Sequence, residues 1–243
     1  MAYTPEQELE MLRELEKFDT PTITNVIATY PADKKLCLGL YHPWEGYWYT
    51  DQSLKCMYPE IGPRAGFAVT CVYGLPDASF DRLSINDVFR AIDESPKPAI
   101  VVIKQDIPEN IKNISGLSGG NMTTAFAALG AIGAISDGPS RDIDEIRSMG
   151  FQYMLTGVSA GHGPYSIRSV GEPVEICGMR IASNDIIHMD ANGAVKFPRK
   201  YLPEVLRLAK ELAVFEEKKL AKLSSTNDLN EIIKYFALKS DEV

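Results

Sequence analysis

Apolar positions along the chain recur with two periods. A helical period opens it: Thr4-Pro5-Glu6-Gln7 offers a hydroxyl cap, Pro at the first helical position and Gln three residues after the cap. Leu9, Leu12 and Leu15 then lay an apolar stripe on the predicted helix. Thr20-Pro21 repeats the start signal, and "TITNVIATY" reads as a second short helix. Residues 31–60, rich in aromatic and turn residues, follow neither period and read as an irregular insertion or lid. From 66 the period changes. "GFAVTCVYG" (66–74) is β-branched and bounded by glycines, which predicts a strand. Residues 81–96 return to a helical period, and "PAIVVIKQD" (98–106) is a continuous apolar run of the kind buried on both faces. A helix over about 121–129, a buried strand over 131–136, a short helix in "DIDEIRSMG" and a strand over 151–157 follow.

Beyond 158 the pattern becomes short strands separated by Gly, Asn and Asp turns, a compact β unit. The last stretch reads as two amphipathic helices that pack on the domain or on a neighbouring subunit. The class is α/β, and the β-rich second half argues against a plain doubly wound sheet. We expect one α/β domain over 1–198 and a helical extension over 199–243.

Composition changes this picture little. With 45% apolar and 24% charged residues, the 243-residue chain has the balance of an ordered globular protein. The net charge of −8 and the lack of a basic run exclude nucleic acid as the expected partner, because phosphate binding needs clustered Lys and Arg. No apolar run approaches the ~20 residues of a membrane span. The opening "MAYTPEQELEMLRELEKF" has no signal-peptide core, so a cytoplasmic location is expected. Cys37, Cys56, Cys71 and Cys177 are scattered, form no C-x-x-C pair and read as buried thiols.

Two stretches carry candidate chemistry. Gly119 and Gly120 lie between a strand and the helix starting near Asn121. Glycines there let a ligand approach the free N–H groups of a first helical turn. The alternative is a flexible loop with Asn121 as cap. Neither a Walker A loop nor a G-x-G-x-x-G loop is present. In "ISDGPSRDIDE" (135–145), Asp142 and Glu145 fit a capping pattern, with Arg141 as a surface ion-pair partner. Yet the stretch follows the carboxyl end of a buried strand, where α/β folds bind ligands. A guanidinium there grips a carboxylate with two parallel hydrogen bonds, and a carboxylate there can hold Mg²⁺. His162 reads as a loop residue that could touch substrate, and His188 as a packed or edge strand residue; Asp190 reads as a turn acid. Trp44 and Trp48 cover a pocket or simply pack, and His42 has no reading.

The stretch "GGNMTTAFAALGAIGAISDGPSRDIDEI" resembles the signature of the RraA-like family, which includes the regulator of ribonuclease E activity and class II 4-hydroxy-4-methyl-2-oxoglutarate/4-carboxy-4-hydroxy-2-oxoadipate aldolases. The family pattern is Gly-Asp, a twenty-residue gap, Arg-Asp and then an acid. Here residues 121–140 make the gap, Arg141-Asp142 follow, and Glu145 is the acid. "RAGFAVTCVYG" and "EPVEICGMRIASNDIIHMDANGAVKFP" resemble the flanking parts, so the similarity spans roughly 62–198. The resemblance implies a swivelling β/β/α fold and cleavage of a small 2-oxo acid between C3 and C4 through the enolate of pyruvate. It implies a divalent cation, Mg²⁺ or Mn²⁺, on Asp142, and Arg141 on the substrate oxygen as the catalytic residue. The backbone of Gly119, Gly120, Asn121 and Met122 would then hold the pyruvyl carboxylate. It also implies a homotrimer or hexamer. The sequence departs from the aldolases at Gly120, where they carry Asp. That leaves a metal-bound water as the expected base, and it keeps open a non-catalytic regulator that binds a protein partner.

Overall fold

Four apolar runs lie side by side as the parallel centre of a mixed sheet in the computed structural model, which describes residues 3–29, 34–77, 79 and 82–242. They are β2 (Arg64–Gly74), β3 (Ala99–Asp106), β4 (Ala131–Ser136) and β5 (Gln152–Leu155), preceded in the chain by the short β1 (Lys55–Cys56). The sheet order is β1-β5-β4-β3-β2-β9-β10, with β9 (Asp185–Asp190) and β10 (Gly193–Pro198) forming an antiparallel hairpin at the far edge. The second edge of β2 is shared. Its first residues, 64–67, pair with β9, and its last, 71–74, pair with β6 (Ser166–Val170) across an irregularity at Val72/Tyr73. The β7 (Val174–Ile176) and β8 (Met179–Ile181) hairpin makes a separate small sheet.

The central strands are apolar on both sides because both sides are covered. On one face α3 (Ile85–Glu94), α5 (Gly120–Ala128) and α6 (Ile143–Arg147) enclose a core that includes Val69, Val101, Phe126, Ile146 and Tyr153. On the other, the β7–β8 hairpin packs over Ala68, Ile100, Val102, Ile135 and Met189. Hairpin, main sheet and helices form three layers, the swivelling β/β/α architecture expected from the resemblance. A third core joins β9 and β10 to α1 (Pro5–Leu15), α2 (Thr20–Ile27) and the buried first half of α7 (Leu202–Ser224). The helical C-terminal appendage is therefore partly built into the domain. Its last helix, α8 (Leu229–Phe236), buries no residue. A single-turn helix, α4 (Glu109–Lys112), which the periodicity did not mark, lies after β3.

Local signals explain the ends. Thr4 and Gln7 form the expected capping box on α1. For α2 the cap is Asp19, not Thr20: its carboxylate accepts from Thr22 N at 2.9 Å, and Pro21 occupies the second helical position. Thr20 is used elsewhere, its hydroxyl lying 2.9 Å from His188 Nδ1. The helix expected over 81–96 starts only at Ile85, where Asp87 accepts from Ser84 N at 2.7 Å; Asp81 lies outside the described residues. Within 34–60 the described backbone is mostly irregular, yet Trp48 and Tyr58 are buried, so these segments pack against the body of the domain. Trp44 is exposed and stacks on His42, with ring centroids 5.0 Å apart.

Candidate active site

The cleft forms where the loops after β3, β4 and β5 meet, at the carboxyl ends of the parallel strands. Two contacts hold these loops together. Gly116 N donates to Gly161 O at 2.8 Å, and a Cβ on Gly116 would stand 2.7 Å from Ser159 O, so only glycine permits this approach. Ser140, fully buried, donates through Oγ to Ser118 O, and its own carbonyl accepts from Ser159 N at 2.9 Å. The start of the same loop is fixed by Asp137, which accepts from Gln105 N at 2.7 Å and pairs with Lys104 at 2.6 Å.

Beneath the cleft the Tyr153 hydroxyl lies 2.8 Å from Ser118 Oγ and 2.6 Å from Thr123 Oγ1. Burial raises the Tyr153 phenol above its ordinary value, so it stays protonated and ties β5 to both ends of the glycine loop. Sequence reasoning missed this cluster. The available signal was a Tyr inside a buried strand, whose hydroxyl needs a partner.

All the residues proposed from sequence line this one cleft of about 380 Å³: Gly119, Gly120, Asn121, Met122, Arg141 and Asp142, with Glu145 beside them. Asp142 sits at the N-cap position of α6, but its backbone is left-handed (φ 59°, ψ 34°) and its side chain makes no capping bond. The capping reading of Asp142 is therefore wrong: the left-handed turn aims the carboxylate away from its own helix. Oδ2 instead accepts from Gly120 N at 2.9 Å across the cleft and lies 3.5 Å from Arg141 Nε. Glycine at 119 leaves room for this, because a Cβ there would come within 2.5 Å of Asp142 Oδ2 and displace the carboxylate. The amides of Asn121 and Met122, in the first turn of α5, are left with no helical acceptor and remain available as donors. Asn121 does not cap α5; that position is Gly119.

At Gly120 a Cβ would stand 2.5 Å from Glu145 Cδ, so the space of the missing aspartate is filled by the Glu145 carboxylate. Among the described residues no three His, Cys, Asp or Glu side chains cluster as a metal-binding group. Asp142 Oδ1 and the Glu145 carboxylate are hard oxygen donors with no hydrogen bond from the described residues. This set fits Mg²⁺ or Mn²⁺, which keep several waters and use one or two carboxylates. Apolar and aromatic residues also line the cleft: Ile85 and Phe89 from α3, Leu117, and Tyr165 stacked on Tyr73. His162 is exposed at the rim, with Nδ1 3.1 Å from Gly163 O. His188 and Asp190 lie away from the cleft, in a buried network at the α1–α2 junction. The four cysteines are free thiols, but only Cys71 is buried; Cys37, Cys56 and Cys177 are half-buried because they lie in loops or a short edge strand and not in the sheet centre.

The family model described as RraA-like, Aldolase/RraA, matches residues 45–196, more than half of the chain. The chain belongs to the RraA-like family. This family includes both aldolases and ribonuclease E inhibitors. The RraA-like match contains the whole cleft and leaves α1, α2, α7 and α8 outside it. The uncharacterized protein MJ0644 of Methanocaldococcus jannaschii is 28% identical over 105 residues, which is 43% of this chain and 50% of that protein. The chain thus spans about half the length of this curated relative. An uncharacterized protein from Pseudomonas syringae pv. tomato superposes with a TM-score of 0.69 at 22% identity, covering 93% of each chain. Streptomyces coelicolor RraAS2, described as an unusual member of the RNase ES inhibitor RraA protein family, gives 0.61 at 16% identity, over 90% of this chain and 96% of its own. At such identities the two structures speak for the RraA-like fold alone. No described helix is long and apolar enough to cross a membrane.

Proposed function

We propose that this RraA-like protein is a divalent-metal-dependent carbon–carbon lyase that releases pyruvate from small 2-oxo acids, by aldol cleavage of a 4-hydroxy-2-oxo acid, by decarboxylation of oxaloacetate, or both. The observation that carries this reading is the Asp142 carboxylate, turned from its own helix into a cleft beside Arg141 and the first turn of α5. A plain helix cap needs no left-handed backbone and would not leave its helix uncapped.

In this reading the Asn121 and Met122 amides hold the pyruvyl carboxylate, aided by the positive end of α5. Arg141 holds the C2 oxygen and opposes the charge that grows there as the enolate forms. Asp142, with its free Oδ1, holds the Mg²⁺ or Mn²⁺, which supplies Lewis-acid stabilisation of the same charge when bound. Glu145, lodged against Gly120, takes the proton of the 4-hydroxyl in the aldol case. The Tyr153–Ser118–Thr123 cluster acts at one remove, keeping the amides and Arg141 in register. We further propose a cytoplasmic homotrimer or hexamer, with 1–198 as the catalytic domain and 199–243 as an extension.

A second reading, a non-catalytic regulator that binds a protein partner, draws on the exposed Leu229, Ile233 and Phe236 of α8. The deciding experiment measures pyruvate release from a panel of 2-oxo acids with Mg²⁺, with Mn²⁺ and with EDTA. Release that EDTA abolishes and Mg²⁺ restores supports the lyase. No release from any substrate refutes it.

A further inference from the structure

We infer that Tyr58 is a positioning residue of the cleft: its hydroxyl, bonded to the Ile143 carbonyl, fixes the start of α6 and with it the Asp142 and Glu145 carboxylates. What those carboxylates do rests on the lyase reading above; where they stand does not.

Helix α6 cannot place itself. It has five residues, Ile143–Arg147, far short of the ~12–15 that make an isolated helix marginally stable in water. Its N-cap residue, Asp142, makes no capping bond, because the carboxylate goes to Gly120 N instead. Of its five residues only Ile146 is buried. One such anchor holds a short helix to the core but leaves it free to turn about that point. Tyr58 supplies a second. Its hydroxyl donates to Ile143 O at 2.6 Å, one residue from Asp142. At the other end of the helix Arg147 lies over the Tyr58 ring, 5.2 Å from its centroid, and pairs with Glu60. Residues 58 and 60 thus hold the first and last residues of α6.

The two holds are unequal. Arg147 and Glu60 are each about half exposed, so water and salt screen their attraction. The Tyr58 ring is fully buried, and burial raises its phenol above the ordinary value, so the proton stays in place to be donated.

This anchor is itself tied to the strand beneath the cleft. Met57 N donates to Tyr153 O at 2.8 Å, and Gln152 Nε2 donates to Tyr58 O at 2.9 Å. Tyr153 in turn holds Ser118 and Thr123 at the two ends of the glycine loop. Strand β5 is therefore a common frame: through Tyr153 it sets the α5 amides, and through Tyr58 it sets the α6 carboxylates. The segment that reads as an insertion or lid in the sequence contributes a strut to the site.

The test uses the full chain and Tyr58→Phe, which keeps the ring and removes only the hydroxyl. Hydrogen exchange at Gly120 N–H, measured without metal, reports its bond to Asp142 and should speed up about five-fold or more. The Kd for Mn²⁺, read from the EPR signal of the free ion, should rise about ten-fold, since partners one step from a metal ligand typically carry about 10–100-fold. For pyruvate release from oxaloacetate, kcat should fall about ten-fold while KM changes less than about three-fold, because the α5 amides keep their own hold on Tyr153. His188→Gln, whose side chain lies away from the cleft, controls for a general loss of stability: it should lower Tm and leave all three readouts unchanged. Unchanged Gly120 exchange in Tyr58→Phe, or equal shifts in His188→Gln, would overturn the inference. An unaltered chain that neither binds Mn²⁺ nor releases pyruvate would refute the lyase reading, and Gly120 exchange would still decide the role of Tyr58.

Discussion

Replacing Asp142 with Asn and with Ala separates its chemical from its structural work. Asn keeps an oxygen that can accept from Gly120 N, and it tolerates the left-handed backbone (φ 59°) better than most residues. The structural cost should stay below about 1 kcal/mol, because only the charge on a half-exposed acceptor is lost. Ala loses more. A non-glycine, non-Asx residue in the left-handed region costs roughly 1–2 kcal/mol, and the lost hydrogen bond adds about 1 kcal/mol. At roughly 2–4 °C per kcal/mol for a chain of this size, the Ala variant should melt about 4–12 °C lower, and the Asn variant within about 4 °C of the parent. Activity should follow another order: both variants lose metal-dependent pyruvate release, because an amide oxygen is a poor substitute for a carboxylate on Mg²⁺. Scanning calorimetry and a coupled pyruvate assay with and without EDTA read the two quantities. EDTA-sensitive turnover persisting in Asp142→Asn would refute the metal role, and an Asp142→Ala variant melting with the parent would refute the structural account.

Arg141→Lys keeps the charge but loses the planar fork, and Arg141→Ala loses both; pyruvate release should fall about 10²–10³-fold in Ala, more in kcat than in KM, with little change in Tm. Full kcat in Arg141→Ala would end the catalytic assignment. Gly120→Ala should fold, since its Cβ meets only the movable end of Glu145, but turnover should drop at least ten-fold as that carboxylate is displaced; an unchanged rate would remove Glu145 from the chemistry. His188 is fully buried and burial lowers its pKa from 6.5 to about 4. The neutral ring is the folded form, so its contribution to stability is complete above pH 6.5 and is lost as pH falls from 6.5 toward 4, by up to about 3 kcal/mol. Urea unfolding at pH 7 and pH 4.5 should show this loss in the parent and a clearly smaller one in His188→Gln. Light scattering at micromolar concentration should give a trimer or hexamer, and a monomer would contradict that proposal.

The sequence by itself determined the elements and their class. The apolar runs at 66–74, 98–106 and 131–136 are too uniform to face water, and they became the parallel strands β2, β3 and β4. The cap at Thr4 placed the first helix because its signal lies within four residues. The spacing of Gly120, Arg141-Asp142 and Glu145 marked the candidate site through its resemblance to the RraA-like pattern, and these residues come from the loops that follow the neighbouring strands β3 and β4. Tertiary structure decided what each residue touches there. Asp19, not Thr20, caps α2 because His188, 168 residues away, takes the Thr20 hydroxyl. Asp142 carries a cap's spacing, but its left-handed backbone and an amide 22 residues earlier decided where its carboxylate goes. The Tyr153–Ser118–Thr123 cluster, the apolar side chains from α3 and the Glu145 carboxylate in the space over Gly120 join segments far apart in the chain. Local sequence fixes periodicity and caps because those energies act within a turn or two. Which side chains share a cleft depends on where the sheet brings distant loops, and that is set by the burial of the whole core.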